Sequence, residues 1–503
     1  MSTSGRVHGG SRVSTVGELD VNGVETHTAY LVMVGDVVFK AKKPIRTAFA
    51  DFSTAAKRRV ACHREVALNQ RLCPDVYLGV AELTNPAGGE TESLVKMRRM
   101  PSDLRLANLV GTGADPTSHL DALAAAIARF HARAEQSVEI DRDATSDAIA
   151  ARWRANVSEV TSYRCDVLPA ADADEVGRRA LRYLQGRKPL FESRIREGRI
   201  VDGHGDLLAD DIFCLADGPR ILDCLDFDDH LRHVDRVDDA ACLAMDLEYL
   251  GREDLASRFL DRYCAEACDQ PPASLWHHYI AYRAFVRAKV AGLRYTQGSD
   301  TAREDARAHC SLALRHLRAG TVRMALVGGL PGTGKSTLSN GLTDVTDSVV
   351  ISSDRVRKEL AGLDPHSRQV SGFGEGLYSG TMTDRTYAEM LRRARDNLEA
   401  GRSVVLDASW TQSIFRERAA LIASCTHSDL VELECRATRG VAIARIGSRP
   451  SGDSDATPAV YDAMAARAAE WTSATAVDTD TAPEDSLQAA ERIWHSTSGW
   501  RDD

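Results

Sequence analysis

The sequence lacks any run of 18 apolar residues, and its first 14 residues are polar and rich in glycine and serine. We therefore expect neither a membrane span nor a signal peptide. Eleven cysteines are scattered without a C-x-x-C pair, which disfavours a disulfide framework or a zinc site and favours a reduced, cytoplasmic location. Residues 1–15 are predicted to form a disordered tail.

The sequence also lacks a basic excess. Its net charge is −10 over 503 residues, and the part from residue 319 onward has 20 Lys and Arg against 26 Asp and Glu. Binding to a phosphate backbone requires clustered positive charge. Nucleic acid is therefore disfavoured as a partner, phosphorylation of a polynucleotide 5′-hydroxyl included, and a small anionic or neutral substrate is favoured.

What the sequence does contain is a complete phosphate-binding loop, GLPGTGKS, at residues 329–336. An apolar run at 324–327 precedes it and a helical pattern follows from Thr337, so backbone N–H groups can surround a polyphosphate at a helix N-terminus. Lys335 is expected to reach the β- and γ-phosphates of a nucleotide and Ser336 to hold Mg²⁺. The predicted nucleotide-binding residues are Gly329, Leu330, Pro331, Gly332, Thr333, Gly334, Lys335, Ser336 and Thr337.

Strand-like runs alternate with helical stretches in this part of the chain, which predicts a parallel five-stranded sheet covered by helices. The five runs are Met324–Val327, Ser348–Ser352, Ser403–Leu406, Leu430–Glu434 and Ala474–Val477. The preceding part reads as a small α+β lobe followed by a helical lobe. We therefore predict two domains, with limits at 16–319 and 320–503.

Two acidic residues follow strands of the predicted sheet, at the edge where ligands bind. The run around Asp354 and Arg357 (VVISSDRVR) and the run ending in Asp407 (VVLDASW) resemble segments of gluconate kinases, polynucleotide kinases and zeta-toxin-like kinases. The resemblance implies that Asp354 is a general base, with capping of the following helix as the alternative or additional role. It also implies that Arg357 holds the acceptor, and that Asp407 binds the acceptor or orients Mg²⁺.

Arg445 and Arg449 lie four residues apart after the fourth strand, and a small polar loop follows them. This arrangement resembles the lid of adenylate-kinase-type folds, in which arginines close on the phosphates. A solvated helical face is the alternative.

The first part contains HGDL at residues 204–207 and ILDCLDFD at residues 221–228. The pair resembles the aminoglycoside phosphotransferase branch of the protein-kinase-like fold. The resemblance implies that Asp206 accepts the proton of the substrate hydroxyl and that Asp226 binds Mg²⁺. Two positions depart from the family pattern: Leu208 replaces a histidine, and Asp211 replaces the metal-binding asparagine. An aspartate can still bind Mg²⁺ through oxygen, so Asp211 is expected to bind the metal ion together with Asp226.

Upstream, Lys40 resembles the strand lysine that contacts the phosphates in the protein-kinase-like fold, and Lys42 is the alternative. Glu65 on the following helix is expected to orient this lysine. Asp238 and Asp239 are predicted to serve as helix caps.

As a whole, the chain resembles fused proteins described as bifunctional aminoglycoside phosphotransferase/ATP-binding proteins. The resemblance implies an ATP- and Mg²⁺-dependent kinase of a small hydroxyl-bearing metabolite, with the second domain as the surer active site. The alternative is a nucleotide-controlled module whose first domain is a pseudokinase that docks a protein partner.

Overall fold

The computed structural model describes residues 21–26, 28–46, 50–84, 90–113, 115–161, 164–364, 378–448 and 457–496. The predicted tail at 1–15 and the predicted lid residue Arg449 lie outside these ranges. The chain divides into two compact units, the first extending to His316 and the second starting at Leu317. Two segments of the earlier part, Arg178–Phe191 and Pro272–Leu275, group with the second unit.

The first unit is built on an antiparallel sheet. Five strands adjoin in the order β1-β2-β3-β5-β4. Two small antiparallel pairs, β6 with β9 and β7 with β8, follow in the chain. The strands are β1 (Val21–Glu25), β2 (Ala29–Val34), β3 (Val37–Lys42), β4 (Tyr77–Leu83), β5 (Glu92–Arg98), β6 (Ile200–Asp202), β7 (Ile212–Leu215), β8 (Gly218–Ile221) and β9 (His233–Asp235).

Helices make up most of the chain between and after these strands. The first, α1, has Thr54 at its N-cap, where the threonine side chain accepts a hydrogen bond from the backbone of Lys57. The helices up to residue 319 are α1 (Ala55–Asn69), α2 (Leu106–Gly111), α3 (Thr117–Arg133), α4 (Val138–Asp143), α5 (Ser146–Thr161), α6 (Arg164–Val167), α7 (Ala170–Gly186), α8 (Lys188–Arg196), α9 (Arg236–Tyr249), α10 (Glu253–Ala267), α11 (Ala273–Thr296) and α12 (Ala302–Ala319).

The second unit is an α/β structure with a parallel sheet in the order β11-β12-β10-β13-β14. Its strands are β10 (Arg323–Gly328), β11 (Val349–Ser352), β12 (Val404–Asp407), β13 (Asp429–Arg436) and β14 (Thr475–Asp478). Its helices are α13 (Lys335–Thr346), α14 (Ser353–Leu360), α15 (Gly380–Glu399), α16 (Ser413–Cys425), α17 (Arg439–Ser448), α18 (Pro458–Ala465) and α19 (Pro483–Ser496).

The predicted fold class is confirmed in both parts. Each of the five predicted runs in the second part forms a strand, and every pairing among them is parallel. Every residue of the central strand β10 is buried, as expected for a parallel strand covered on both faces. The first part has the small antiparallel lobe and the helical lobe of the protein-kinase-like fold.

The register of the parallel sheet aligns the ends of three strands. Ser352 at the end of β11 pairs with Asp407 at the end of β12, and Asp407 pairs with Val327 near the end of β10. Neighbouring strands lie about 4.8 Å apart, so the segments that follow these strands leave the sheet side by side.

In the part of the chain that the structure describes, no helix is both long and apolar enough to cross a membrane.

Candidate active sites

The phosphate-binding loop connects β10 to α13, and its glycines are required by space as well as by conformation. Gly329 has φ 134°, and a Cβ there would lie 2.5 Å from the carbonyl oxygen of Cys435. Gly332 has φ 81°, and a Cβ there would overlap the carbonyl oxygen of Ala442. Gly334, with φ 82°, is the N-cap residue of α13. The neighbouring backbone thus approaches the loop so closely that a side chain at Gly329 or Gly332 would displace it.

The other loop residues hold the turn together. Thr333 donates its hydroxyl to the carbonyl of Leu330 at 2.8 Å, and Lys335 Nζ donates to the same carbonyl at 2.9 Å. Pro331 is buried, whereas Thr337 is exposed in the first turn of α13.

Asp407 and Ser336 meet beside this loop. Asp407 ends the buried strand β12 and is only 6% exposed. Ser336 Oγ donates to Asp407 Oδ2 at 2.6 Å. A hydroxyl and a carboxylate oxygen at the start of a phosphate-binding helix are the ligand types that Mg²⁺ takes, so these residues fit a nucleotide-bound metal ion.

Asp354 lies in the first turn of α14. The helix begins at Ser353 with Ser352 at the N-cap position, so Asp354 does not occupy the N-cap, its alternative role. Arg357 Nη1 donates to Asp354 Oδ1 at 2.7 Å, and the Arg357 guanidinium lies 4.6 Å from the ring centre of Tyr378. The Tyr378 ring thus positions the Arg357 guanidinium, and the ion pair with Arg357 orients the Asp354 carboxylate.

Arg445 of α17 lies against the phosphate-binding loop. Its Nη2 donates to the carbonyl of Thr479 at 2.7 Å, and the Thr479 hydroxyl donates to the carbonyl of Thr333 at 2.8 Å. Its Nη1 would lie 3.7 Å from a Cβ at Gly334. That Nη1 is buried and has no hydrogen-bond partner among the described residues. An unsatisfied donor beside a phosphate-binding loop fits an anionic ligand.

In the first unit, both candidate lysines contact Glu65. Lys40 Nζ lies 2.8 Å from Glu65 Oε1 and 3.2 Å from Asp223 Oδ1. Lys42 Nζ lies 2.8 Å from Glu65 Oε2 and 2.9 Å from Asp226 Oδ2. Burial alone would raise the pKa of Glu65, but the two lysines hold it below its usual value. The strand–helix pairing expected for Lys40 is therefore present, and Lys42 shares it.

The carboxylates of Asp206, Asp211 and Asp223 influence one another electrostatically. Burial, and after it the charges of Asp223 and Asp206, raise the pKa of Asp211 well above its usual value. Asp211 Oδ2 is buried and has no hydrogen-bond partner among the described residues. A buried carboxylate oxygen of this kind, facing other carboxylates, fits a divalent cation.

Asp223 is the candidate that sequence reasoning missed. The prediction placed the metal ligands at Asp211 and Asp226, and the Asp226 carboxylate contacts Lys42. Asp223 instead contacts Lys40 and lies near Asp211. Its φ of 62° is in the left-handed region, which Asp tolerates better than most residues and which concentrates at functional sites. The role of Asp226 stays a prediction.

The prediction that Asp238 and Asp239 cap a helix was wrong. Asp235 is the N-cap residue of α9, and Asp239 instead accepts hydrogen bonds from the backbone N–H groups of His204 at 2.6 Å and Gly205 at 2.9 Å. His131 and other neighbours hold the pKa of Asp239 well below its usual value even though burial opposes this. Asp239 therefore fixes the backbone that precedes Asp206.

His204 completes this support. Its Nδ1 accepts from the backbone N–H of Asp206 at 3.3 Å, and its Nε2 lies 3.1 Å from the carbonyl oxygen of Leu222. Burial lowers its pKa. A neutral ring with the proton on Nε2 satisfies both contacts.

Comparison with known proteins agrees with this architecture. Residues 324–471 match the family model described as an AAA domain. The chain is 46% identical over 472 residues to the uncharacterized protein Rv2004c of Mycobacterium tuberculosis, an alignment that covers 94% of this chain and 95% of that protein. The chain therefore belongs to the same family as that protein.

Among solved structures, a choline/ethanolamine kinase family protein from Mesorhizobium loti is 15% identical with a TM-score of 0.37, covering 60% of this chain and 93% of that one. A sugar kinase from Janibacter sp. is 15% identical with a TM-score of 0.28, covering 35% of this chain and 96% of that one. Both similarities are loose.

The tight approach at Gly332 gives a first prediction. In the purified full-length protein, Gly332→Ala should weaken ATP binding by about 10-fold or more. The added methyl group would displace the loop, and the left-handed φ disfavours alanine. Gly440→Ala is the matched control, since a Cβ at Gly440 meets nothing within 4 Å. Titration calorimetry measures both; equal affinities would show that the loop does not bind the nucleotide.

Asp246 of α9 gives a prediction on pH. It accepts a hydrogen bond from the backbone of Ala209 at 2.8 Å, and burial raises its pKa to about 6. The folded protein therefore binds this proton more tightly than the unfolded chain, and stability contributed by the protonated group is lost as pH rises from about 4 to about 6.

Asp246→Asn should consequently stabilise the protein above pH 6, by about 1–3 kcal/mol at most, and the gain should vanish near pH 4. Urea unfolding of both proteins at pH 7.5 and 4.5 measures it. A loss of stability of the same size at both pH values would contradict the assignment.

Proposed function

We propose that this member of the family is an ATP- and Mg²⁺-dependent phosphotransferase whose acceptor is a hydroxyl group of a small metabolite, with the second unit as its principal active site. The observation that carries the proposal is the placement of Asp354 and Asp407. Asp407 ends β12 and Asp354 closely follows β11, and the ends of these two strands are in register with the strand that leads into the phosphate-binding loop.

The residues of the second unit divide the chemistry among them. Bound Mg²⁺–ATP would supply the phosphoryl group and neutralise its charge, with Ser336 and Asp407 as the residues that hold the metal ion. Asp354 accepts the proton of the acceptor hydroxyl on its carboxylate, which Arg357 keeps oriented. Arg445 and Lys335 provide positive charge at the loop, where charge on the transferring group is stabilised.

An ATPase also needs a polar group that orients its attacking water, so the carboxylate of Asp354 alone does not separate the two functions. Arg357, which is buried and paired with Asp354, adds guanidinium donors that a water molecule does not require and that a larger acceptor can use. This arginine favours the kinase over the nucleotide-controlled module.

The first unit is proposed as a second phosphotransferase site of the same chemical class. Asp206 takes the place of the base, Lys40 contacts phosphates, and Asp211 with Asp223 forms the acidic set suited to a metal ion. The alternative of a pseudokinase predicts that loss of Asp206 leaves phosphoryl transfer unchanged.

Asp354→Asn tests the principal site. We expect acceptor-dependent ATP turnover to fall about 100-fold or more while ATP affinity stays near that of the natural protein, because the amide keeps the shape but cannot take the proton. A coupled ADP assay with a panel of sugars and polyols measures turnover, and calorimetry measures ATP binding.

Asp344→Asn is the matched control, an exposed aspartate on α13 in the same unit. Lys335→Ala and Asp206→Ala are measured alongside to assign activity to one unit or the other. Turnover that ignores every acceptor and survives Asp354→Asn would reject the kinase in favour of a nucleotide-controlled module.

A further inference from the structure

The cavity beside Asp206 in the first unit has an unusual charge. It measures about 80 Å³, and its apolar walls are formed by side chains such as Phe227, Val286 and Val290. Four cationic side chains and two acidic ones also line it: Arg152, Arg283, Arg287 and Lys289 against Asp206 and Asp238. Lys289 is paired with Glu159 at 3.0 Å, which leaves three arginines against two carboxylates in the cavity wall.

Arg283 lines the cavity and has one guanidinium nitrogen without a hydrogen-bond partner among the described residues. Its Nε donates to Asp238 Oδ1 at 2.7 Å, and its Nη1 donates to the carbonyl of Gly205 at 2.5 Å. The residue as a whole is only 7% exposed. Its Nη2 is buried and has no hydrogen-bond partner among the residues that the structure describes. A buried guanidinium donor left unsatisfied is costly unless an acceptor completes it.

Arg287 lies on the same helix, α11, one turn further along. Its Nη1 is 3.9 Å from Asp206 Oδ2, which is too long for a hydrogen bond. Arg152 adds a second donor of the same kind, because its Nε is buried without a partner in the described part of the chain. Arginine stays charged when buried and matches phosphate and carboxylate oxygens with its planar donors.

These cations lie on the acceptor side of the site. The residues that line the cavity include Asp206 but not Lys40, Lys42 or Asp223, which form the expected nucleotide side. The cationic side chains of the cavity wall would therefore act on the compound whose hydroxyl meets Asp206. A cationic acceptor such as an amino sugar would face like charges there.

We propose that the first unit binds a small hydroxyl compound bearing a phosphate or carboxylate group, with Arg287 and Arg283 holding the anion and the hydroxyl directed to Asp206. The assignment rests on the proposed phosphotransferase function for the role of Asp206. The anion binding itself does not depend on turnover, so the two can fail separately.

The test measures equilibrium binding to the full chain without nucleotide. Four probes share a three-carbon skeleton: glycerol 3-phosphate, glycerate, glycerol and 3-amino-1,2-propanediol. We expect one or both anions to bind about 10-fold or more tightly than glycerol and the amine; the stronger of the two identifies the anionic group. Calorimetry gives the four dissociation constants.

Arg287→Gln should weaken binding of the preferred anion by about 10-fold or more. Arg294→Gln, the same change on the same helix at a position outside the cavity wall, should leave it unchanged. Binding that persists in Arg287→Gln would belong to another site, such as the phosphate-binding loop, and would overturn the proposal.

Equal binding of all four probes, preference for the amine, or no binding of either anion would overturn it as well. Anion binding that depends on Arg287, together with no acceptor-dependent ATP turnover, would leave the anion site standing and reject the phosphotransferase function.

Discussion

The second unit depends on the close approach of neighbouring backbone to the phosphate-binding loop. At Gly329 and Gly332 the carbonyls of Cys435 and Ala442 occupy the space that a side chain would need. This brings α17, which carries Arg445, against the loop. The loop is thus packed tightly against α17 and the end of β13. Movement of any of them would open these contacts.

In the first unit, the candidate site residues are held in place by ion pairs and hydrogen bonds to charged groups instead of close backbone packing. Glu65 holds two lysines of β3, and Asp239 holds the backbone before Asp206 through two N–H groups. Buried carboxylates repel one another, so the lysines lower the electrostatic cost of this cluster, and a metal ion held by Asp211 and Asp223 would lower it further. Both units therefore concentrate fixed charge where a phosphoryl group would be handled.

The sequence predicted what depends on local chemistry. The loop at 329–336 and the five strands around it carry their signals in adjacent residues, and all were found. Asp239 was misread because its partners lie 34 and 35 residues earlier in the chain. Asp223 was not found from the motif, since what singles it out is a left-handed backbone angle and the contact of its carboxylate with Lys40. The charge around Arg287 arises only when several helices pack together.

The most direct measurement of the central claim follows the terminal phosphate of ATP. The full chain is incubated with ATP labelled in its γ-phosphate and a small-molecule extract, and the labelled products are separated. The account predicts that label appears in an organic phosphate. It also predicts that the Lys335→Ala variant, in which the principal site is disabled, does not form this product. Label found solely as inorganic phosphate, at a rate that the extract does not change, would contradict it.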